Sequence, residues 1–199
     1  MPVFESFLQE IDRCWERPDS QVGKIRLRVI GSAALMLQTN YQRGTKDSDV
    51  LETAHITEDI KGRLFKLAGQ GTELHTRHKV YLDIVRGGLP FLPQSPVCHL
   101  LVELNQSLQH FEVEVLDIVD VVVSKLKRFS ANDISDIRAM VDKGLVGHSM
   151  LIERFAAAVD FYSMDARAGD LPKYVQNLNR IERDCFFVPE TTIELPEWI

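Results

Sequence analysis

The chain has few of the features that mark secreted, membrane-spanning or fibrous proteins. Its 199 residues include three cysteines, Cys14, Cys98 and Cys185, which are odd in number and far apart. They predict no disulfide framework and favour a reducing, cytoplasmic location. The N-terminus has neither a basic start nor an apolar run, so we expect no signal peptide. The most apolar stretch, residues 113–123, contains three acidic residues and is too short for a bilayer span of about 20 residues, so we expect no membrane partner.

An excess of basic charge is also missing. The chain has 23 Lys and Arg residues against 29 Asp and Glu residues, a net charge of −6. This balance disfavours a strongly basic nucleic-acid binder and argues weakly against a long RNA acceptor. The sequence contains no internal repeat and no low-complexity tract. Because 45% of the residues are hydrophobic, the chain can bury a core, which excludes disorder of the whole chain.

Hydrophobic periodicity predicts a mixture of strands and helices up to about residue 145 and helices beyond it. We predict strands at 25–30, 47–51, 79–85, 99–104 and 110–116, of which the first and the last alternate apolar with polar residues. Helical spacing predicts helices at 3–16, 33–37, 57–69, 117–129, 130–144, 149–165 and 171–185. We therefore predict an α+β (mixed α/β) fold with a core sheet flanked by helices over residues 1–145. Residues 146–199 form a helical C-terminal part with an extended tail in this prediction.

The first chemical signal is a Gly31-Ser32 pair at the end of a predicted strand, where a helix begins. The N-terminus of a helix presents backbone N–H groups and a positive partial charge. Glycine lets a phosphate approach the backbone closely, and the Ser32 hydroxyl can donate a hydrogen bond. These two residues therefore predict a phosphate-binding turn.

The second signal is a pair of acids, Asp47 and Asp49, on the next predicted strand. Side chains at this spacing point to the same face, and two carboxylates there repel each other unless a cation joins them. Oxygen ligands suit magnesium, and a third acid on a neighbouring strand would complete a two-metal site. We predict that Asp83 is this acid. Glu112 and Glu114 are alternatives, although their simpler interpretation is the solvent face of an edge strand.

This order of motifs resembles the DNA polymerase β-like nucleotidyltransferase superfamily. In that superfamily, Gly-Ser at a strand–helix turn precedes Asp-x-Asp on the next strand and a third acid on a later one. The run from Arg43 to Lys46 is similar to the Arg-x-Thr-x-Asp form of small bacterial members, including the abortive-infection, toxin-type branch. Lys125, followed by Asp133 and Asp136, looks like the Lys-Leu…Asp-x-x-Asp segment of that branch.

The resemblance implies a specific reaction and a set of site residues. A nucleoside monophosphate would pass from a nucleoside triphosphate to a hydroxyl, with release of pyrophosphate. Two Mg²⁺ ions would be held by Asp47, Asp49 and Asp83, and Asp83 would also accept the proton of the attacking hydroxyl. Gly31 and Ser32 would bind the β- and γ-phosphates. Nucleotide-binding roles follow by resemblance for Gly31, Ser32, Arg43, Lys46, Lys125, Asp133 and Asp136.

Three of these residues also have simpler structural interpretations. Lys125 lies near a predicted helix end, where a solvated cation is favourable. Asp133 can cap the following helix and pair with its dipole. Asp136 lies too deep in that helix to cap it, so its simpler role is a surface ion pair.

The acceptor stays open between RNA, a protein and a small molecule such as an aminoglycoside. A toxin role with an antitoxin partner is implied by the resemblance alone. The alternative function is a binding module, a nucleotidyltransferase-like scaffold without catalysis. Ser48 keeps this alternative open, because relatives usually carry an apolar residue between the two acids. Convergence of Asp47, Asp49 and Asp83 within about 4–5 Å of a common point is the expected mark of an active site.

Overall fold

The computed structural model describes residues 3–18, 23–45 and 47–198. Contacts group the chain into two units. The first unit is Met1–Gly87 with Cys98–Leu116, and the second is Gly88–Val97 with Asp117–Ile199. The domain boundary near residue 145 stays a prediction, since these units are defined by contacts alone.

Within its described residues, the first unit is built on a five-stranded mixed sheet. The strands are β1 (Ile25–Val29), β2 (Asp47–Leu51), β3 (Tyr81–Val85), β4 (Cys98–Leu100) and β5 (Phe111–Leu116). Their order is β3-β2-β1-β5-β4. The pairs β1–β5 and β2–β3 are parallel, whereas β1–β2 and β4–β5 are antiparallel. Together with the helices, this sheet confirms the predicted α+β fold class.

The sheet has one apolar face and one polar face because its strands alternate in sequence. On β1, Ile25, Leu27 and Val29 are buried, while Arg26 and Arg28 project to the other side. Helices α1 (Val3–Cys14), α2 (Gly31–Gln38), α3 (Glu58–Ala68), α4 (Glu73–His78) and α5 (Val102–Ser107) belong to this unit. Helix α2 packs against β2 and β5, and α3 packs against β3. The chemistry-bearing side chains therefore lie on the polar face.

The strand predicted at 99–104 is partly wrong. Strand β4 ends at Leu100, and α5 follows from Val102. The side chain of Asn105 on α5 takes over the pairing with β5: its Oδ1 accepts from Val113 N at 2.7 Å, and its Nδ2 donates to Val113 O at 2.8 Å. A helix can therefore begin here while β5 keeps both backbone hydrogen bonds at this residue. The periodicity analysis also missed α4.

The second unit is helical in its described residues. Helix α6 (Ile118–Arg128) packs against α7 (Ala131–Asp142), α8 (His148–Tyr162) and α9 (Leu171–Ile181). Helix α6 confirms the helical interpretation of residues 117–129. Its N-cap is Asp117, whose side chain accepts from Val119 N at 2.8 Å. Beyond α9, residues 182–186 form a π-helical turn. None of the helices in the described ranges combines the length and apolar character needed to cross a membrane.

Candidate active site

Gly31 makes the turn between β1 and α2 in a conformation that side chains rarely adopt. Its φ is +64°, and a Cβ added here would lie 2.9 Å from Oδ2 of Asp49. The carboxylate of Asp49 therefore lies against the backbone at the N-terminus of α2. Ile30 N donates to Asp49 O at 2.8 Å and joins the end of β1 to β2. The predicted phosphate-binding turn and the predicted acids are thus neighbours in the first unit.

Strand β2 projects Asp47 and Asp49 from the polar face, where both are half-buried. Ser48 lies between them and points to the opposite face, where it is fully buried. Thr45 Oγ1 donates to Asp47 Oδ1 at 2.6 Å. This bond ties Asp47 to the segment that precedes the strand, and the alternation of β2 gives both acids the common face that their spacing predicts.

Asp83 lies opposite Asp49 in the parallel register of β2 and β3. Residues directly paired across neighbouring strands share a face, so three carboxylates project from the same side of two strands. Among the residues that the structure describes, however, no three His, Cys, Asp or Glu side chains are gathered closely enough to hold a metal ion. The structure brings the three acids to one face without gathering them around one point.

Tyr81 is a member of this group that the sequence analysis missed. It pairs with Asp47 in the β2–β3 register and shares the face of the three acids. Burial raises the pKa of the Tyr81 phenol, and the negative charges of Asp47, Asp83 and Asp49 raise it further. The Tyr81 phenol is therefore protonated at neutral pH. Its position two residues before Asp83 on a predicted strand is the signal that could have identified it.

The alternative third acids are engaged by arginines from β1. Arg26 Nε donates to Glu112 Oε2 at 2.9 Å, and Arg28 Nε donates to Glu114 Oε1 at 2.6 Å. Strand β5 lies between β1 and β4, so the edge-strand interpretation of these glutamates is wrong. Their charges are compensated within the sheet, whereas Asp83 lies next to Asp49. This arrangement favours Asp83 over Glu112 and Glu114.

Ser32 and Arg43, two further residues that the sequence analysis predicts to bind the nucleotide, belong to the first unit. Ser32 is buried in the first turn of α2. Arg43 lines a cavity near the C-terminal end of α2, and its carbonyl accepts from Thr45 N at 3.0 Å. Lys46 lies outside the described residues. The roles of all three stay predictions.

Lys125, Asp133 and Asp136 form a buried ionic cluster in the second unit. Lys125 Nζ lies 2.7 Å from Asp136 Oδ2 and 3.3 Å from Asp133 Oδ1, and its side chain is 5% exposed. The surface interpretations of Lys125 and Asp136 are therefore wrong. Asp133 forms a capping box with Ser130, as its simpler interpretation predicts. The nucleotide-binding roles of the three residues stay predictions.

The pKa of Asp133 records the strength of these contacts. Burial alone would raise it, but hydrogen bonds from Arg128 and Ser130 and the positive charge of Lys125 outweigh burial. They hold the pKa well below its ordinary value of 3.8. Asp133 is therefore ionised at neutral pH, and because its pKa is lowered in the folded chain, its ionisation favours the folded state whether or not the cluster binds a nucleotide.

A model of a known protein family matches the chain. The family model described as "Nucleotidyltransferase of unknown function (DUF6036)" matches residues 7–181, most of the chain. The chain belongs to this family. No curated protein and no solved structure matches the chain significantly. Membership in this family shows that the chain is nucleotidyltransferase-like. The family's description specifies neither a substrate nor an acceptor.

Proposed function

We propose that this nucleotidyltransferase family member is a magnesium-dependent enzyme that transfers a nucleoside monophosphate from a nucleoside triphosphate to a hydroxyl acceptor. One observation carries the proposal: Asp49, in register with Asp83, lies against Gly31 at the N-terminus of α2. The candidate metal ligands and the candidate phosphate-binding turn are adjacent in this arrangement. The oxygen-only donor set of Asp47, Asp49 and Asp83 fits the preference of Mg²⁺ for carboxylates.

The chain's own residues have separate tasks in this reaction. Asp47, Asp49 and Asp83 hold the metal ions, and backbone N–H groups at Gly31 and Ser32 bind phosphate oxygens at the positive end of α2. The acceptor oxygen attacks the α-phosphorus, the bond to the β-phosphate oxygen breaks, and pyrophosphate leaves. Asp83 accepts the proton of the attacking hydroxyl. The metal ions that these acids would hold would supply positive charge to stabilise the attacking and leaving oxygens.

A calorimetric titration tests the proposal without knowledge of the acceptor. Each nucleoside triphosphate is titrated into the full chain with and without Mg²⁺. The same titrations use an Asp47→Asn/Asp49→Asn variant and a Glu58→Gln/Asp59→Asn control. The control removes two exposed negative charges from α3 in the same unit. We expect magnesium-dependent binding in the wild type and the control, and its loss in the Asp47/Asp49 variant.

The second candidate function is a nucleotidyltransferase-like binding module without catalysis. It is favoured by the finding that the acids share a face without forming a three-residue metal cluster within the described chain. Folded wild-type protein that binds none of the triphosphates would support this module and overturn the enzyme. A search for protein partners would then replace the search for an acceptor.

The acceptor class and a toxin-type role extend the proposal from the resemblance alone. A toxin would arrest growth when the chain is expressed without its antitoxin, and the Asp47→Asn/Asp49→Asn variant would not. RNA, protein and small-molecule fractions of the arrested cells, incubated with α-³²P-labelled triphosphates and the purified protein, would identify the labelled acceptor. Normal growth with the wild-type chain would overturn the toxin role and leave the transferase proposal to the titration.

A further inference from the structure

Tyr81 places a hydroxyl on the face of the sheet that carries the three candidate metal ligands. Its partner in the register of β2 and β3 is Asp47, and its side chain is half-buried. The charges of Asp47, Asp83 and Asp49 all raise the pKa of the phenol, so its oxygen lies within the field of these acids. A hydroxyl is the kind of acceptor that the proposed reaction uses, and this hydroxyl belongs to the chain itself.

The ring of Tyr81 is supported by His75 on α4. The two rings make an edge contact, with centroids 5.2 Å apart and an interplanar angle of 80°. His75 is itself held, because its Nδ1 accepts from Gly71 N at 3.0 Å and its backbone N donates to Thr72 Oγ1 at 3.2 Å. A hydroxyl on a supported ring has less freedom to lose when its oxygen is brought to a reacting atom.

The position of Tyr81 relative to the proposed base also fits an attacking group. Tyr81 precedes Asp83 by two residues on β3, so their side chains leave the same face about 7 Å apart. Asp83 is the acid to which the proposed function assigns the proton of the attacking hydroxyl. Asp49, its partner in register, lies against Gly31, where the same proposal puts the phosphates of the donor. The hydroxyl, the base and the phosphate-binding turn thus occupy neighbouring positions.

Two other residues of this region carry hydroxyls that are less suited to the attack. Thr45 Oγ1 donates to Asp47 Oδ1 at 2.6 Å, a bond that ties it to a candidate metal ligand. Ser32 is buried in the first turn of α2, within the candidate phosphate-binding turn. Tyr81 differs from both, because its hydroxyl stands at the end of a phenol ring on the strand that also carries Asp83.

We propose that the chain transfers a nucleoside monophosphate to its own Tyr81 hydroxyl, an inference that rests on the proposed function. The Tyr81 oxygen attacks the α-phosphorus of the bound triphosphate and forms an O–P bond, while the bond from the α-phosphorus to the oxygen that bridges to the β-phosphate breaks. Asp83 takes the phenol proton and passes it to solvent, and pyrophosphate leaves. The product is a phosphodiester between Tyr81 and the nucleoside.

Labelling of the full chain with α-³²P-labelled triphosphates and Mg²⁺, without an added acceptor, tests the inference. Trypsin releases residues 80–86 as one peptide whose only tyrosine is Tyr81, and its fragment ions show which residue carries an adduct. The variants are Tyr81→Phe, which keeps the ring that contacts His75, and the control Tyr41→Phe, at a half-buried tyrosine of the same unit. We expect the label and a nucleotidyl adduct on Tyr81 in the wild type and the label in the control, and no label in Tyr81→Phe. The rate constant should not depend on protein concentration, because the transfer occurs within one chain.

A second measurement does not need transfer. Hydroxyl-radical footprinting with the non-cleavable α,β-methylene triphosphate and Mg²⁺ reports whether the bound nucleotide covers the peptide 80–86. We expect protection of this peptide in the wild type and its loss in Asp47→Asn/Asp49→Asn. Calorimetry should give Tyr81→Phe the same Kd for the triphosphate as the wild type. An analogue that binds without protecting this peptide overturns the inference.

The outcomes separate self-transfer from the function on which it rests. Label that persists in Tyr81→Phe, or an adduct on another residue, overturns Tyr81 as the acceptor and keeps the transferase. Wild-type protein that binds the triphosphate but takes up no label overturns self-transfer and leaves an external acceptor. A rate constant that rises with protein concentration assigns the transfer to a second copy of the chain and also overturns the inference. Wild-type protein that binds no triphosphate overturns both proposals.

Discussion

The carboxylate of Asp49 occupies the space in which a side chain on Gly31 would begin, with Oδ2 at 2.9 Å from that position. Two separate constraints therefore select glycine at residue 31. The positive φ of +64° disfavours any residue with a Cβ, and the neighbouring carboxylate leaves no room for one. The same contact brings an acid to the N-terminus of α2.

Gly31→Ala is expected to lower the free energy of unfolding by about 1–3 kcal/mol, because the backbone is strained and Asp49 must move. It should also weaken magnesium-dependent binding of a triphosphate. Urea unfolding and calorimetry measure the two effects. Gly62→Ala is the matched control, since Gly62 is exposed on α3 with open space around it, and alanine there should stabilise the helix by about 1 kcal/mol. Equal free energies of unfolding for Gly31→Ala and Gly62→Ala would contradict the prediction that a side chain at residue 31 is strained.

Substitutions can distinguish Asp83 from Glu112 as the third acid of the candidate metal site. Asp83→Asn should weaken magnesium-dependent triphosphate binding by roughly tenfold or more, because it removes a charge next to Asp49. Glu112→Gln should leave this binding unchanged, because Glu112 is paired with Arg26 on the other half of the sheet. Calorimetry at several Mg²⁺ concentrations distinguishes them. A larger loss of triphosphate binding in Glu112→Gln than in Asp83→Asn would assign the role of the third acid to Glu112 on β5.

The local patterns of the first unit could be predicted because they depend on near neighbours in sequence. Alternation predicts β1, and the spacing of Asp47 and Asp49 predicts their common face on β2. The glycine turn at Gly31 follows from the change of pattern between strand and helix. These features involve few residues, so the sequence contains most of what determines them.

Features that depend on tertiary contacts could not be predicted in the same way. The burial of Lys125 and Asp136 requires α6 and α7 to pack together. The sequence alone does not distinguish a buried run of charged residues from one on a solvated surface. The ion pair in which Arg28 compensates the charge of Glu114 depends on the register between β1 and β5. Strand β4 ends at Leu100, and beyond it the side chain of Asn105 pairs with the backbone of β5, a contact that no periodicity describes.

Removing the buried hydroxyl of Ser48 is expected to cost little stability. Its hydroxyl is fully buried on the apolar face and, in the described part of the chain, has no hydrogen-bond partner. Ser48→Ala should therefore leave the free energy of unfolding unchanged or raise it by about 1 kcal/mol, without changing nucleotide affinity. Ser130→Ala is the contrasting variant, because it removes the capping box of α7 and should cost about 1 kcal/mol. Equal losses in urea unfolding would show that the Ser48 hydroxyl is satisfied.

The buried cluster of the second unit predicts a loss of stability in acid. The folded-state pKa of Asp133 lies below its unfolded value, so the unfolded chain binds the proton first as the pH falls. The contribution of Asp133 is present above about pH 4 and is lost as the pH falls towards the folded-state pKa. Asp133→Asn should cost roughly 3 kcal/mol at pH 7, since Lys125 and Arg128 lose a charged partner.

Urea unfolding between pH 7 and pH 2 measures this dependence. The wild type should lose stability more steeply below pH 4 than Asp133→Asn, because the variant no longer has this proton to bind. Asp142→Asn, an exposed substitution at the end of the same helix, should keep the wild-type slope. A variant at residue 133 with the full wild-type slope would assign the acid sensitivity to other carboxylates, of which Asp136 is the nearest partner of Lys125.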